Sequence, residues 1–415
     1  MKHVIIGNGP AGVVGAEALR KADPAATIAL IGDEAEPPYS RMALPYLMMG
    51  EIDEAGTYLR KTPGHFERLG IELVQGRVDA VDTAARTVRL AGGASRAYDR
   101  LLIASGSHPI KPPIPGIDLP GVHSCWTMAD ARQITARAGR GARVLQVGAG
   151  FIGCIILESL VSRGVHLTVV EMGDRMVPRM MTPVAGGMIR RWCERQGVRV
   201  HVKTRLSSIR PGAGGALVAT LDSGTEVEAD LVIISAGVKP NIGFLAGSGV
   251  ECASGVLIDK RMRTNVDGVY AAGDVAEGID PSTGQRAVHA IQPTAVEQAR
   301  IAALNMAGRD AESRGHVALN VLDAHGLIST SFGKWWGVPG GQTAELVDEE
   351  AFRYLSLQFD GDLLVGATAI GLTEHIGVLR GLIDGCVPLG AWKDRLLADP
   401  FRVVEAYLAR AQAAA

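Results

Sequence analysis

The sequence predicts an α/β fold built on two copies of one strand–turn–helix–strand unit. Three observations point there. Glycine is abundant, at 52 of 415 residues, while aromatic residues are only 5% of the chain. That balance suits many tight strand-to-helix turns and not an aromatic-cored β-sandwich. Short apolar runs of strand length end in glycine-rich turns at two places. Proline-rich stretches then punctuate the chain where neither a helix nor a central strand can continue.

Val4, Ile5 and Ile6 form the first buried-strand run. Gly7-Asn8-Gly9-Pro10-Ala11-Gly12 follows, then a helical stretch to near Arg20 and a second apolar strand over Thr27 to Ile31. About 140 residues later the same grammar returns. Arg143 to Val147 is a strand and Gly148-Ala149-Gly150-Phe151-Ile152-Gly153 a turn. A helix runs to near Arg163, and His166 to Val170 is the next strand, closed by Glu171. Ile110-Lys111-Pro112-Pro113-Ile114-Pro115-Gly116 reads as the exit from a first domain, and Val238-Lys239-Pro240-Asn241 as the exit from a second. His123-Ser124-Cys125-Trp126 reads as a domain crossover without chemistry. After about residue 318 short strands (Tyr354 to Phe359, Leu363 to Ala367) precede amphipathic helices near 374–385 and 400–411.

Composition narrows the function classes. A hydrophobic fraction of 47% with 21% charged residues is globular, not disordered. Lys plus Arg is 42 and Asp plus Glu is 44, so no basic excess exists to hold a phosphate backbone, and nucleic acid is not an expected partner. No apolar run reaches the roughly 18 residues of a membrane span, and the N-terminal run is too short for a signal peptide. The five cysteines, at 125, 154, 193, 252 and 386, form no C-x-x-C pair. That argues against a zinc site, an iron–sulfur cluster and a disulfide framework, and for a reducing cytoplasm.

The two turns share the G-x-G-x-x-G spacing. Alone this is a weak signal, and glycines also simply cap strands. Between a strand and a helix its physics is specific. The first glycine allows the tight turn, the second lets the backbone approach a pyrophosphate, and the third lets helix pack on strand. The helix N-terminus adds free N–H groups and a positive dipole end. Pro10 falls in the first turn, where a missing N–H costs little. An acid closing the second strand accepts hydrogen bonds from a ribose diol: Glu34 or Asp33 in the first copy, Glu171 in the second. Two dinucleotide fingerprints imply two dinucleotides, and flavin with nicotinamide is the usual pair. A carboxylate suits a free 2′-hydroxyl, and no Arg directly follows Glu171, so NADH is favoured over NADPH, with Arg175 near enough in sequence to reach back.

With these motifs the whole chain resembles the flavoprotein pyridine nucleotide–disulfide oxidoreductases. Within that family it looks most like rubredoxin/ferredoxin reductases, the flavin portion of NAD(P)H nitrite reductase large subunits, and NADH oxidases. The resemblance implies two nested Rossmann-like dinucleotide-binding domains plus a C-terminal α+β interface domain. FAD would occupy residues 1–112 with 241–318, NAD(H) residues 113–240, and residues 319–415 would form the interface domain that often makes homodimers. Tyr98 to Gly106 is similar to the strand and turn that return to the cofactor, an element repeated at Leu231 to Gly237. Gly268 to Val275 resembles the second FAD motif, in which Asp274 holds a ribityl hydroxyl. Ile291 to Gln298 resembles the helix whose start faces the flavin ring. The implied FAD contacts are Gly7, Gly9, Pro10, Ala11, Gly12, Glu34, Arg41, Val78, Ala104, Ser105, Gly106, Gly273, Asp274, Pro293 and Thr294. The implied NAD contacts are Gly148, Gly150, Phe151, Ile152, Gly153, Glu171 and Gly237.

The departures are informative. In disulfide-reducing relatives a redox cysteine lies two positions before a Leu-Pro-Tyr-like run, and here that position is Met42. A thioether cannot serve as a thiolate nucleophile or reversible sulfenate. Where the rubredoxin-reductase-like pattern has a Lys paired with a Glu of the nicotinamide helix, this chain has Tyr46 and Ile155. Losing both together avoids a buried unpaired charge. Met42, Tyr46 and Ile155 are therefore flavin-proximal candidates, with no certain acid, base or nucleophile. Trp335-Trp336 is either a core or dimer aromatic pair or a guide for a redox partner, and His289 is either a loop histidine or a neighbour of the flavin. The resulting expectation is an FAD-dependent NADH oxidoreductase that passes electrons to a separate carrier such as rubredoxin, ferredoxin or a heme/siroheme partner. The alternatives are a cysteine-independent NADH oxidase or peroxidase, and a low-turnover flavin-binding subunit of a redox complex.

Overall fold

The computed structural model describes residues 1–410. The chain forms two compact units: residues 1–108 with 238–316, and residues 109–237 with 317 onward.

In the first unit five parallel strands lie in the order Val269–Ala271, Arg100–Ile103, Lys2–Ile6, Thr27–Gly32, Ile71–Gln75. Both faces of a parallel sheet are covered, so these strands are near-continuous apolar runs. Ile5, Ile28, Leu30, Leu101, Leu102 and Ile103 are buried in one core. The helices Pro10–Ala22 and Gln292–Met306 pack on each other, and small residues let them approach. A side chain on Gly15 would meet Leu102 at 2.8 Å and Ala299 at 3.8 Å. Three antiparallel strands, Val78–Asp82, Thr87–Leu90 and Ser95–Ala97, are inserted between the third and fourth strands of the chain.

The second unit repeats this design. Its parallel sheet has the order Arg199–His201, His166–Val170, Arg143–Val147, Leu231–Ile234, Val122–Ser124. An antiparallel trio, Leu206–Pro211, Leu217–Leu221 and Glu226–Ala229, occupies the equivalent insertion point. Val122–Ser124, read from sequence as part of a crossover, is the edge strand of this sheet, because its backbone pairs with the apolar run Val232 to Ile234.

The same unit carries a five-stranded antiparallel sheet: Leu319–Ala324, Leu327–Gly333, Leu363–Ile370, Arg353–Asp360, Gln342–Asp348. One face presents Phe332, Ala367, Leu357 and Ala344 in a row and packs under helices Ile376–Asp384, Trp392–Ala398 and Val403–Arg410. The other face presents Ser331, Thr368 and Ser356, all fully buried. Helix Phe151–Ser162 packs on strand Leu319–Ala324, and the Trp192 indole N–H donates to the His325 carbonyl at 3.1 Å. Sequence reading found two of these five strands. It placed one helix at 400–411, where Pro400–Arg402 is a 3₁₀ turn leading into Val403–Arg410. Position 411 lies outside the described residues.

Candidate functional site

Ligands of parallel sheets bind outside the carboxyl ends of the strands. In the first unit those ends carry Gly7–Gly12, Asp33-Glu34, Ala104–Gly106 and Gly273-Asp274.

The first turn shows why each glycine is needed. Gly7 has φ +106°, and a side chain on it would meet the Ala104 carbonyl oxygen at 2.0 Å. One on Gly12 would meet the Gly7 oxygen at 1.8 Å, so only glycine lets the helix seat on the turn. One on Gly9 would meet nothing within 4 Å. Gly9 also caps the helix without any side-chain hydrogen bond, which leaves first-turn N–H groups to a ligand, and Pro10 sits at the helix start. The second turn behaves alike. Gly148 has φ +101° and faces the Ser235 oxygen at 2.3 Å, Gly153 faces the Gly148 oxygen at 2.4 Å, and Gly150 meets nothing within 4 Å. Gly150 is again a helix cap without a side-chain bond, with Phe151 and Ile152 opening the helix. Both cradles suit a pyrophosphate approached by backbone alone.

The two acids differ. Glu34 accepts the Tyr39 hydroxyl at 2.6 Å and the Arg41 guanidinium at 2.8 Å. Arg41, implied by the resemblance as an FAD contact, thus stands beside the acid. Glu171 is 6% exposed and accepts two backbone N–H groups, from Ala149 at 2.7 Å and Gly173 at 2.6 Å. Arg175 is committed elsewhere: it donates to the carbonyls of Met181 and Pro178 and pairs with Asp174.

Asp274 follows Gly273 and accepts the Ser107 hydroxyl at 2.9 Å. Burial pushes its carboxyl above the ordinary value, an effect that the Ser107 bond and the Arg41 charge only partly offset. The Gly273 N–H donates to Gln298 of helix Gln292–Met306 at 2.9 Å, which ties that helix to the turn. Thr294 is buried in its first turn beside Pro293. Ser40 donates to Gln292 at 3.0 Å, so the Pro37–Tyr46 stretch is also linked to this helix start. Ser105 is held differently from the other turn residues: its hydroxyl donates to the Asn241 carbonyl at 2.9 Å. Ala104 is buried and Gly106 takes a positive φ in the same turn. Val78 is buried at the start of its strand, and Gly237 has φ +98° with Ile110 nearby.

Met42 and Tyr46 are each 51% exposed, in the first unit, and Ile155 is half-buried in the helix Phe151–Ser162 of the second. The first unit holds a single cysteine, Cys252, whose thiol burial pushes up. Cys125 and Cys193 are pushed to about 12 and Cys154 well above its ordinary value, all by burial. Burial thus opposes thiolate formation at these four cysteines. Burial also lowers His289, against the pull of Asp280 at 3.6 Å. Trp335 is buried, while Trp336 is 58% exposed and meets it edge-on.

Sequence reading missed several supporting side chains. Asn8 lies over Gly32, where a side chain on the glycine would meet it at 2.2 Å. Buried Gln146 donates to the Gly148 carbonyl at 3.1 Å. Ser235 keeps a buried hydroxyl without a protein partner beside Gly148, a ready group for a bound ligand. A polar residue closing an otherwise apolar strand was the available signal for Gln146 and Ser235.

Comparison with known proteins matches this geometry. Residues 1–299 match the model of the pyridine nucleotide-disulphide oxidoreductase family. The NADH-dependent phenylglyoxylate dehydrogenase subunit epsilon of Aromatoleum evansii is 32% identical over 97% of this chain and 96% of its own length. The anthranilate 1,2-dioxygenase system ferredoxin–NAD(+) reductase component of Burkholderia cepacia is 32% identical over 96% and 97%. A covalent putidaredoxin reductase–putidaredoxin complex shares the fold, with a TM-score of 0.89 at 22% identity over 98% of both chains. The chain belongs to the pyridine nucleotide-disulphide oxidoreductase family and is a flavoprotein oxidoreductase that uses FAD and NAD(H).

Proposed function

We propose that the chain takes electrons from NADH through FAD and delivers them to a separate small redox carrier, a ferredoxin, a rubredoxin or a heme/siroheme partner. The observation that carries this reading is Met42, which stands exposed where disulfide-reducing relatives keep a redox thiol, in a unit whose single cysteine is remote in sequence. Full-length similarity to a ferredoxin–NAD(+) reductase supports the same acceptor class.

In this reading the first unit holds FAD through Gly7, Gly9, Gly12, Ala104, Gly106, Gly273, Asp274 and the start of the helix at Pro293-Thr294. The second holds NAD(H) through Gly148, Gly150, Gly153 and Glu171. Bound together, the two cofactors supply hydride transfer and single-electron release. The chain's own residues supply backbone donors for the pyrophosphates, an N-terminal helix dipole and a carboxylate for each ribose. Glu171 with Arg175 fully engaged favours NADH over a 2′-phosphorylated coenzyme.

The domain reading is 1–112 with 241–318 for FAD, 113–240 for NAD(H) and 319–415 for protein contacts. The insertion of 109–237 into the first unit and the separate apolar cluster of the C-terminal sheet support it. Exposed Trp336 supports a protein-contact role for that last segment, including a homodimer. Five free cysteines support a reducing, cytoplasmic setting, and no helix among the described residues is long and apolar enough to cross a membrane.

Anaerobic mixing with NADH tests the reading. The flavin band near ~450 nm should bleach rapidly and recover on addition of oxidised carrier. Flavin that stays oxidised at millimolar NADH would sink it. A second reading, a subunit of a larger dehydrogenase, is favoured by the full-length match to such a subunit. It predicts slow reduction in isolation and co-purification of a stable redox partner.

A further inference from the structure

We propose that Tyr354 is a positioning residue for the nicotinamide coenzyme: from the C-terminal sheet it fixes, through Thr182, the loop that clasps the second glycine turn. The inference rests on the reading that this turn takes NAD(H).

The loop runs from Glu171 to Thr182 without regular structure, longer than the two to six residues usual between a strand and a helix. A loop of that length holds a ligand well only if it is ordered beforehand. Three attachments order it. At its start, Glu171 accepts the N–H groups of Ala149 and Gly173. In its middle, the Val177 N–H donates to the Ala149 carbonyl at 2.8 Å. Val177 is buried and has φ +50°, a conformation that a β-branched residue adopts only under constraint. Arg175 draws the rest inward, donating to the Met181 carbonyl at 2.9 Å and the Pro178 carbonyl at 3.1 Å. Ala149 lies between two glycines of the turn, so both clasps act on the backbone expected to meet the coenzyme.

The third attachment is at the far end. Thr182 caps the helix Pro183–Arg195, its oxygen accepting the Ala185 N–H at 3.2 Å. Its hydroxyl donates to the Tyr354 oxygen at 3.0 Å, and Tyr354 donates to Glu345 at 2.6 Å. Tyr354 is fully buried, so this hydroxyl would be costly to leave unpaired. Burial, reinforced by Glu345, raises its pKa to about 12, so it remains a neutral hydroxyl that donates to Glu345 while the Thr182 and Ser356 hydroxyls donate to it. Met181, whose carbonyl Arg175 grips, immediately precedes Thr182. The path from Tyr354 to the glycine turn is therefore Thr182, Met181, Arg175, Val177 and Ala149.

The test uses FAD-loaded protein with ferricyanide as the acceptor. Tyr354→Phe keeps the buried ring and removes only the hydroxyl. KM for NADH should rise about five-fold, with kcat within about two-fold and FAD content unchanged. Thr182→Val should raise KM at least as much, Thr182→Ser should restore it, and the double variant Tyr354→Phe/Thr182→Val should go no further than Thr182→Val alone. Glu171→Ala serves as the separate control on the site. If Glu171→Ala raises KM while Tyr354→Phe does not, or if the two substitutions at 354 and 182 act additively, the positioning role is overturned and the site stands. If Glu171→Ala leaves KM unchanged, the site reading itself fails.

Discussion

The two parallel-sheet regions of this molecule repeat the same hydrogen bonds around their glycine turns. In each, the first glycine N–H donates to a carbonyl at the end of the neighbouring strand: Gly7 to Ile31 at 2.8 Å, Gly148 to Val170 at 2.7 Å. In each, the loop after the far strand returns to the end of the first: Ala104 to Ile6 at 2.8 Å, Ser235 to Val147 at 2.7 Å. An aspartate pins the first strand's start in both, Asp99 on the Lys2 N–H and Asp230 on the Arg143 N–H. The difference lies in the acids. Glu34 is held by side chains, Tyr39 and Arg41, from the stretch that also carries Met42 and Tyr46. Glu171 is held by the backbone of its own glycine turn and loop. The scaffold is thus common to both, while one acid depends on side chains of a neighbouring segment and the other on the scaffold itself.

Breaking the shared part should cost most. Gly12→Val drives a side chain into the Gly7 carbonyl and should lower stability by about 3 kcal/mol or more, measured by denaturant unfolding. Gly153→Val should act similarly on the second sheet. The middle glycines separate binding from folding, because the first side-chain carbon at Gly9 or Gly150 would have open space around it, with no atom beyond its chain neighbours within 4 Å. Gly150→Val should leave the melting temperature and FAD content unchanged and raise KM for NADH about 100-fold. Gly9→Val should instead purify with little FAD. A Gly150→Val protein with parental NADH kinetics would contradict the assignment of the second turn.

The acids come next. Glu171→Gln should raise KM for NADH about ten-fold, since it weakens two charge-assisted backbone bonds and the ribose contact together. Glu34→Gln should weaken FAD retention only about three-fold, because Tyr39 and Arg41 still frame the site. Equal effects would remove the distinction between the two acids.

The smallest expected effect concerns pH. His3 occupies the strand position that Val144 holds in the second sheet, and it is buried with Asp23 at 3.7 Å. Burial lowers its pKa, partly opposed by Asp23, with the N-terminus and Arg100 adding to the lowering. The folded state therefore favours the neutral ring. Its contribution is fully present above the ordinary value of 6.5 and is lost as pH falls through the lowered value. His3→Val should reduce the drop in melting temperature between pH 7.5 and pH 5.5, and an unchanged drop would place the acid sensitivity elsewhere.

Much of this is legible in the sequence. Buried parallel strands are unbroken apolar runs, so Arg143 to Val147 and His166 to Val170 were bounded correctly from sequence. The glycine turns announced themselves because each glycine answers a distinct steric demand. The clasp around Glu171 was not legible, because it is made of backbone N–H groups and of Val177 in a conformation that no residue type signals. Of the three strands missed in the C-terminal sheet, Leu327–Gly333 shows a related reason: Ser329, Thr330 and Ser331 are fully buried, so a hydroxyl-rich run that suggests a solvent-facing loop marks an interior strand. Trp335 is buried and Trp336 exposed, so a core placement read for the pair holds for the first residue alone.

The central claim is that electrons leave without a protein thiol and go to a carrier protein. Steady-state NADH consumption, measured with and without a small iron–sulfur carrier in air, tests it most directly. The account predicts turnover that rises with carrier concentration, is slow with oxygen alone, and survives alkylation of Cys252 and Cys386. NADH consumed equally fast with oxygen and no carrier, or activity abolished by that alkylation, would contradict it.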